Sequence, residues 1–265
     1  MSARFTILGC GSSGGVPRIG GIWGACDPQN PKNARRRCSA LVEKLGPEGV
    51  TTVLIDTGPD MRAQLIDAGV TKLDGVVYTH SHADHVHGID DLRQIVHLTK
   101  SRVDVWADKV TQNDLISRFG YVFVQPDGSN YPPILNLHGI TGPVTVEGAG
   151  GPLTLTPVEV EHGQINALGF RIGDLLYLPD VSDIPDSAAP HFADLGTFVI
   201  DALRYDPHPS HAHLDRALEW IDRFAPARAV LTNMHIDLDY VTLDNETPAH
   251  VTPAHDGMVI EIGGA

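Results

Sequence analysis

The chain has 265 residues, 42% of them hydrophobic, which is enough for a real core and excludes a disordered or collagen-like protein. No apolar run nears the roughly 20 residues of a membrane helix, and residues 1–15 lack the apolar stretch of an export signal, so a cytoplasmic protein without membrane contact is expected. With 19 basic against 33 acidic residues the net charge is −14, which would repel a long nucleic acid.

Residues 4–8 alternate as a strand and run into Gly9-Cys10-Gly11-Ser12-Ser13-Gly14-Gly15-Val16-Pro17. This glycine-rich loop is not a phosphate cradle. The lysine of GxxxxGK[ST] is missing, and Pro17, Gly20 and Gly21 prevent the helix that should follow, so it reads as a surface loop over a site. Residues 38–42 and 51–55 pair around the turn 46–49, and the second strand ends in Asp56-Thr57-Gly58-Pro59-Asp60. A short helix is expected over 61–68, stopped by Gly69, and a buried strand over 75–78 delivers the chain to His80. A helix over 90–97 and a strand over 103–106 follow, and the Gly- and Pro-rich residues 125–151 read as loop with short strands. Strands are expected at 153–160, 167–172, 175–178, 197–201, 229–231 and 258–262, with an amphipathic helix over 213–224. No solenoid-length repeat is present. Strands and helices mixed through hairpin-length connections point to an α/β fold in one domain, 1–265, with sheets covered by helices.

Charge is unevenly placed. Residues 1–45 carry seven basic and two acidic side chains, so a basic patch sits on an acidic body. Arg35-Arg36-Arg37 reads either as a solvated turn or as an anion-steering rim, and Arg18 or this cluster is available as a substrate clamp. Cys10, Cys26 and Cys38 are an odd number in a chain without an export signal, so reduced thiols are expected.

Histidine is abundant, at 14 residues, and clustered. His80-Ser81-His82-Ala83-Asp84-His85 follows a strand and precedes a helix. Alternation sends His80 and His82 one way and Asp84 and His85 another, so these groups cannot all serve one tetrahedral ion. Two metals sharing an edge is the natural solution.

The HxHxDH motif, with His162 in Glu161-His162-Gly163, Asp180 in Tyr177-Leu178-Pro179-Asp180 and His235 in Leu231-Thr232-Asn233-Met234-His235, resembles the metallo-β-lactamase fold superfamily. The resemblance covers nearly the whole chain, from Phe5 to Ile262, and implies an αβ/βα sandwich of two mixed sheets flanked by helices, with the site between the sheets. It implies two divalent ions per chain, Zn²⁺ or Mn²⁺. The first would take His80, His82 and His162, the second Asp84, His85 and His235, with Asp180 bridging. Asp84 and Asp56 enter the catalytic set by the same resemblance, Asp56 as an acceptor that orients a ligand.

Within the superfamily, β-lactamases lack the bridging aspartate. Transfer-RNA 3′-processing enzymes carry a long arm between the third histidine and that aspartate, whereas His162 and Asp180 lie 18 residues apart. The opening GCGSSGGVP, the Arg35–Ser39 strand entry, THSHADHVHGIDDLR and the segment Ala202 to His211 are similar to small phosphodiesterases of the kind that accompanies the carbon–phosphorus lyase pathway. That enzyme holds a structural zinc mainly through N-terminal cysteines. Only Cys26 stands at a comparable place here, which argues against such a site. By resemblance His211 is the general acid, a role suited to a group near pKa 6.5 facing a departing alkoxide, while His208 and His213 read as helix-start histidines. The expected activity is therefore hydrolysis of small or cyclic nucleotide or ribose phosphodiesters by a metal-activated water. The alternatives are a thioester or lactone hydrolase, a tRNA-processing-like phosphodiesterase, or a nucleotide sensor that does not turn its ligand over. The partner is a small-molecule diester, and a homodimer is compatible with the sequence.

Overall fold

The computed structural model describes residues 2–264. Six strands, β1 (Ser2–Gly9), β2 (Ser39–Gly46), β3 (Gly49–Ile55), β4 (Gly75–Val77), β5 (Val103–Ala107) and β6 (Leu135–Gly139), belong to one sheet. The next seven, β7 (Val144–Val146), β8 (Leu153–His162), β9 (Ile165–Ile172), β10 (Leu175–Leu178), β11 (Thr197–Asp201), β12 (Arg228–Thr232) and β13 (Val251–Pro253), build a second, and β14 (Met258–Ile262) returns to the first beside β1. Both sheets are mixed in the same way. Antiparallel pairing through β14-β1-β2-β3 and through β7-β8-β9-β10 gives way to parallel pairing through β3-β4-β5-β6 and through β10-β11-β12-β13.

The strands explain the layers. In β3, Val53 and Ile55 enter the core between the sheets while Leu54 enters a separate core on the other face. A strand apolar on both faces must be covered on both. Phe5 of β1 meets Tyr177 of β10 across the sheet interface, ring centroids 5.2 Å apart. On the outer face of the first sheet lie α1 (Met61–Asp67), the one-turn α2 (Ala83–Val86), α3 (Leu92–Thr99) and α4 (Lys109–Phe123), which bury Met61, Leu65, Leu92, Ile95, Leu115 and Val122. On the second sheet α5 (Leu214–Phe224) buries Ala217, Trp220 and Ile221, and α6 (Tyr240–Glu246) leads to β13. This is the metallo-β-lactamase sandwich expected from the sequence. No helix among the described residues is long and apolar enough to cross a membrane.

Two local expectations are corrected. Residues 109–123 form a helix that the hydropathy pattern does not announce: only Thr111, Leu115 and Val122 are buried along it, and Gly120 beside a non-helical Phe119 blurs its period. Its legible signal was Asp108, whose side chain caps it by accepting from Thr111 N. The loop after β1 is also not simply a surface loop. Gly11 N donates to Arg36 O, Ser12 N to Met234 O, and Val16 and Arg35 exchange both backbone bonds, so only the tip near residues 17–22 stands proud.

Parallel strands in both sheets end at the same edge of the sandwich. Asp56 follows β3, His80 follows β4, Asp180 follows β10, Asp201 ends β11 and Asn233 follows β12, while His162 ends the antiparallel β8. The C-terminal edge of parallel strands is where open α/β sheets place their ligands.

Candidate metal centre

Beyond β4 the backbone leaves the sheet and presents His80, His82 and His85 within six residues. The turn after β3 clamps this segment: Thr57 N donates to His85 O and Gly88 N to Thr57 O, each at 2.8 Å. Two glycines permit the contact, since a Cβ on Gly58 would lie 2.3 Å from Asp84 O and one on Gly88 2.2 Å from Gly58 O. Asp56 is fully buried with φ +65, a left-handed backbone uncommon outside glycine and concentrated at functional sites. Its carboxylate accepts from Thr79 N at 2.8 Å, from Thr79 Oγ1 at 2.7 Å and from His85 Nδ1 at 2.7 Å. Asp56 therefore lies beneath His85 and orients it without reaching the open site, a positioning role that refines its place in the expected catalytic set.

Six side chains come together: His80, His82 and His162 form one group of ligand atoms, His80, His85 and Asp180 a second, and His162, Asp180 and His211 a third, the atoms within each lying within 4.8 Å of one another. His162 Nε2 faces His82 Nδ1 at 3.1 Å, and its Nδ1 donates to Ser210 O at 2.6 Å. His80 Nδ1 meets Thr79 Oγ1 at 3.0 Å, leaving the buried Nε2 without a hydrogen-bond partner. Asp180 Oδ2 is likewise buried without one, although His85 Nε2 lies 3.1 Å away outside hydrogen-bond alignment. Orphaned buried nitrogen and oxygen atoms are costly unless something else ligates them. Imidazole and carboxylate together suit Zn²⁺ or Mn²⁺, so the residues fit the expected ions.

Burial drives the protonation of this cluster. It pushes His80 well below its ordinary value and lowers His162, so both are poised as neutral donors. Burial also opposes charge on His85, but Asp180 and Asp56 outweigh it and raise its pKa. The same neighbour, His85, overrides burial at Asp180 and holds it well below the usual carboxylate range.

Two expected ligands stand at the margin. Asp84 is part-exposed, its Oδ2 3.6 Å from His85 Nε2. His235 turns Nδ1 to Asp237 Oδ2 at 2.8 Å and its Nε2 against the Arg18 guanidinium, outside the three groups.

His211 occupies the far end. Its Nδ1 lies 2.9 Å from the buried Asp201 Oδ2, with Asn233 Nδ2 at 3.2 Å. Burial opposes its charge, but Asp201 more than compensates and raises the His211 pKa to about 9. Asp201 and Asn233 were missed from sequence. Asn233, also left-handed at φ +59, reaches Asp180 Oδ1 at 3.3 Å. A polar residue closing an apolar strand was the only signal at either position.

The arginine cluster resolves into three structural uses. Arg35 is buried, donating to Leu238 O, Asn33 Oδ1 and His235 O, Arg36 pairs with Asp67, and Arg37 forks onto Asp60. It is neither a solvated turn nor a free rim. The three thiols are all unpaired and buried.

The profile of the Beta-lactamase superfamily domain matches residues 51–236. A crystal structure of a new diphosphatase from the PhnP family is 34% identical, with a TM-score of 0.85 over 99% of this chain and 98% of that one. The metallo-β-lactamase fold protein YhfI from Bacillus subtilis, 18% identical, shares the fold with a TM-score of 0.74 over 98% of this chain and 99% of its own. An octanoyltransferase from Porphyromonas gingivalis (strain ATCC BAA-308 / W83) is 32% identical over 260 residues, 96% of this chain but 51% of that protein, so the chain spans about half the length of this curated relative. The chain belongs to the metallo-β-lactamase superfamily and within it is PhnP-like.

Proposed function

We propose that the chain is a dinuclear metal-dependent phosphodiesterase for small phosphodiesters. The observation that carries the reading is that two ligand groups, His80 with His82 and His162, and His80 with His85 and Asp180, meet at His80, a pattern suited to two neighbouring ions rather than one. His80, His82 and His162 would hold one ion, and His85, Asp180 and Asp84 the other, with Asp180 shared. His235 would join the second set if the Arg18 guanidinium left its Nε2. When bound, such ions supply Lewis acidity, lowering the pKa of water and neutralising phosphate charge.

The remaining chemistry belongs to the protein. Asp201 fixes the His211 tautomer by accepting from Nδ1, so Nε2 is the nitrogen that faces a substrate. With a pKa of about 9 the ring is protonated at neutral pH and can hand its Nε2 proton to the departing alkoxide. A tRNA-gripping arm has no place between His162 and Asp180, because β9 and β10 fill that interval as a hairpin. The 34% identical diphosphatase supports hydrolysis at a phosphate centre. The octanoyltransferase relative does not redirect the reading: burial raises the pKa of Cys10, Cys26 and Cys38, so none is a thiolate nucleophile suited to carry an acyl group.

The test is a panel of aryl and alkyl phosphodiesters beside thioesters and lactones, assayed on the Zn²⁺- or Mn²⁺-loaded protein. Turnover of diesters above that of the other classes is expected. Faster saturable hydrolysis of a thioester or lactone would replace this reading, and a nucleotide recovered intact after prolonged incubation would favour a sensor.

A further inference from the structure

Two clefts of opposite character adjoin residues of the site. Beside His80 and His82 lies a cleft of about 610 Å³ lined by Asp108, Asp114 and Glu159, whose only arginine, Arg118, is already tied to Ser81 O at 2.5 Å and Asp114 at 3.4 Å. On the His235 side lies a groove of about 590 Å³ formed by residues 13–19, Ile22, Arg35, Arg36, Arg37 and Asp60. Its one carboxylate, Asp60, is taken by Arg37 through two side-chain bonds and a backbone bond. Arg35, buried beneath this groove, has only neutral acceptors, so its charge is not cancelled there.

Arg18 is the cation of this groove that reaches the site. A tight turn holds it, with Arg18 N donating to Ile22 O and Gly21 N to Arg18 O, both at 3.0 Å. The side chain folds back over the glycine loop, where a Cβ on Gly14 would stand 3.2 Å from Arg18 Nε. Its guanidinium touches His235 and pairs with no carboxylate among the described residues. The backbone N–H groups of Ser13 and Gly14, in the same wall, donate to no acceptor among those residues. A guanidinium without a carboxylate partner, beside two N–H groups without an acceptor, is the donor set that takes a phosphate.

We propose that Arg18, with the N–H groups of Ser13 and Gly14, binds a second phosphate next to the scissile one, so that the preferred substrates are diphosphate-linked diesters. The inference rests on the phosphodiesterase reading and names its substrate class. The acidic cleft beside His80 and His82 would repel the same phosphate, so the anionic arm is directed to Arg18. An ion on His235 Nε2 would displace the guanidinium from that nitrogen and leave it in the groove.

The experiment compares metal-loaded wild type, Arg18→Gln and Arg18→Lys. Calorimetry measures binding of methylenediphosphonate and of methylphosphonate, and metal content is measured on the same samples. Wild type is expected to prefer the diphosphonate. Arg18→Gln should weaken diphosphonate binding by about tenfold or more, and methylphosphonate binding by less than threefold, with lysine recovering part of the loss and metal content unchanged. Equal weakening of both probes, an undiminished preference in Arg18→Gln, or loss of metal from that variant would each overturn the proposal. Hydrolysis of bis(p-nitrophenyl) phosphate by wild type is followed in parallel. Its absence sinks the phosphodiesterase reading, whereas its presence with an unchanged diphosphonate preference in Arg18→Gln sinks only the Arg18 subsite.

Discussion

His80 and His85 are each 1% exposed, and each has a nitrogen committed to a buried partner: Thr79 Oγ1 at 3.0 Å for one, Asp56 Oδ2 at 2.7 Å for the other. At the opposite margin His82 is exposed, and His235 contacts Arg18 and the half-exposed Asp237. Hydrogen bonds in the dry interior hold geometry firmly, because the alternative for each group is no partner at all. Contacts near water are screened and exchange readily. The inner half of the site is thus set by the fold, and the outer half is where ions and substrate trade places with side chains.

Breaking the proton donor of the inner half should have the largest effect. His211→Ala is expected to lower turnover of alkyl diesters by about 10²–10⁴-fold and of nitrophenyl esters far less, since nitrophenolate leaves without a proton. A kinetic series over leaving-group pKa reads this directly, and equal losses across the series would remove the acid role. Next comes the support beneath His85. Asp56→Asn should weaken metal binding by about 10–100-fold, measured by competition with a chromophoric chelator, while far-ultraviolet circular dichroism stays native.

The Asp201–His211 pair gives a pH signature. A general acid with its pKa raised to about 9 works below that value, so activity should fall as pH rises through it. Asp201→Asn removes the charge that raises it, and the alkaline limb should move down towards the ordinary histidine value of ~6.5. A limb that stays in place would show that another group controls it.

The smallest effect concerns the anchor of the outer wall. Asp256 accepts from Cys10 N and Sγ and from Arg36 N, and burial pushes its pKa up to about 6. A carboxyl raised in the folded state contributes stability that is complete below its unfolded value of ~3.9 and is lost as pH rises through about 6. The stability gap between wild type and Asp256→Asn, from urea unfolding at pH 4, 5, 6 and 7, should therefore shift by about 1–3 kcal/mol against wild type over that range.

What the sequence made legible follows the same division. The HxHxDH segment is compact in sequence because one loop after one strand supplies three imidazoles, and the strands around it alternate cleanly. Asp201 and Asn233 were invisible because each acts across a gap between strand ends, ten residues before His211 in one case and 53 after Asp180 in the other. A strand-ending Asp or Asn has many ordinary uses, and only the sheet order brings these two to one edge. Helix α4 was hidden for a different reason: its few buried residues anchor it to the first sheet while its polar side lines the cleft beside His80 and His82. Arg35, Arg36 and Arg37 looked like one patch, yet neighbouring side chains on an extended backbone point apart, and each found its own partner.

If two ions acting together hydrolyse a phosphodiester, turnover must track the second equivalent of bound metal. Metal-stripped protein is reloaded stepwise with Zn²⁺ or Mn²⁺ while bound metal and hydrolysis of bis(p-nitrophenyl) phosphate are followed on the same samples, with His80→Ala as control. Turnover should rise until about two equivalents are bound and be lost in the variant. Full activity at one equivalent, or none with two bound, would rule out two-ion hydrolysis.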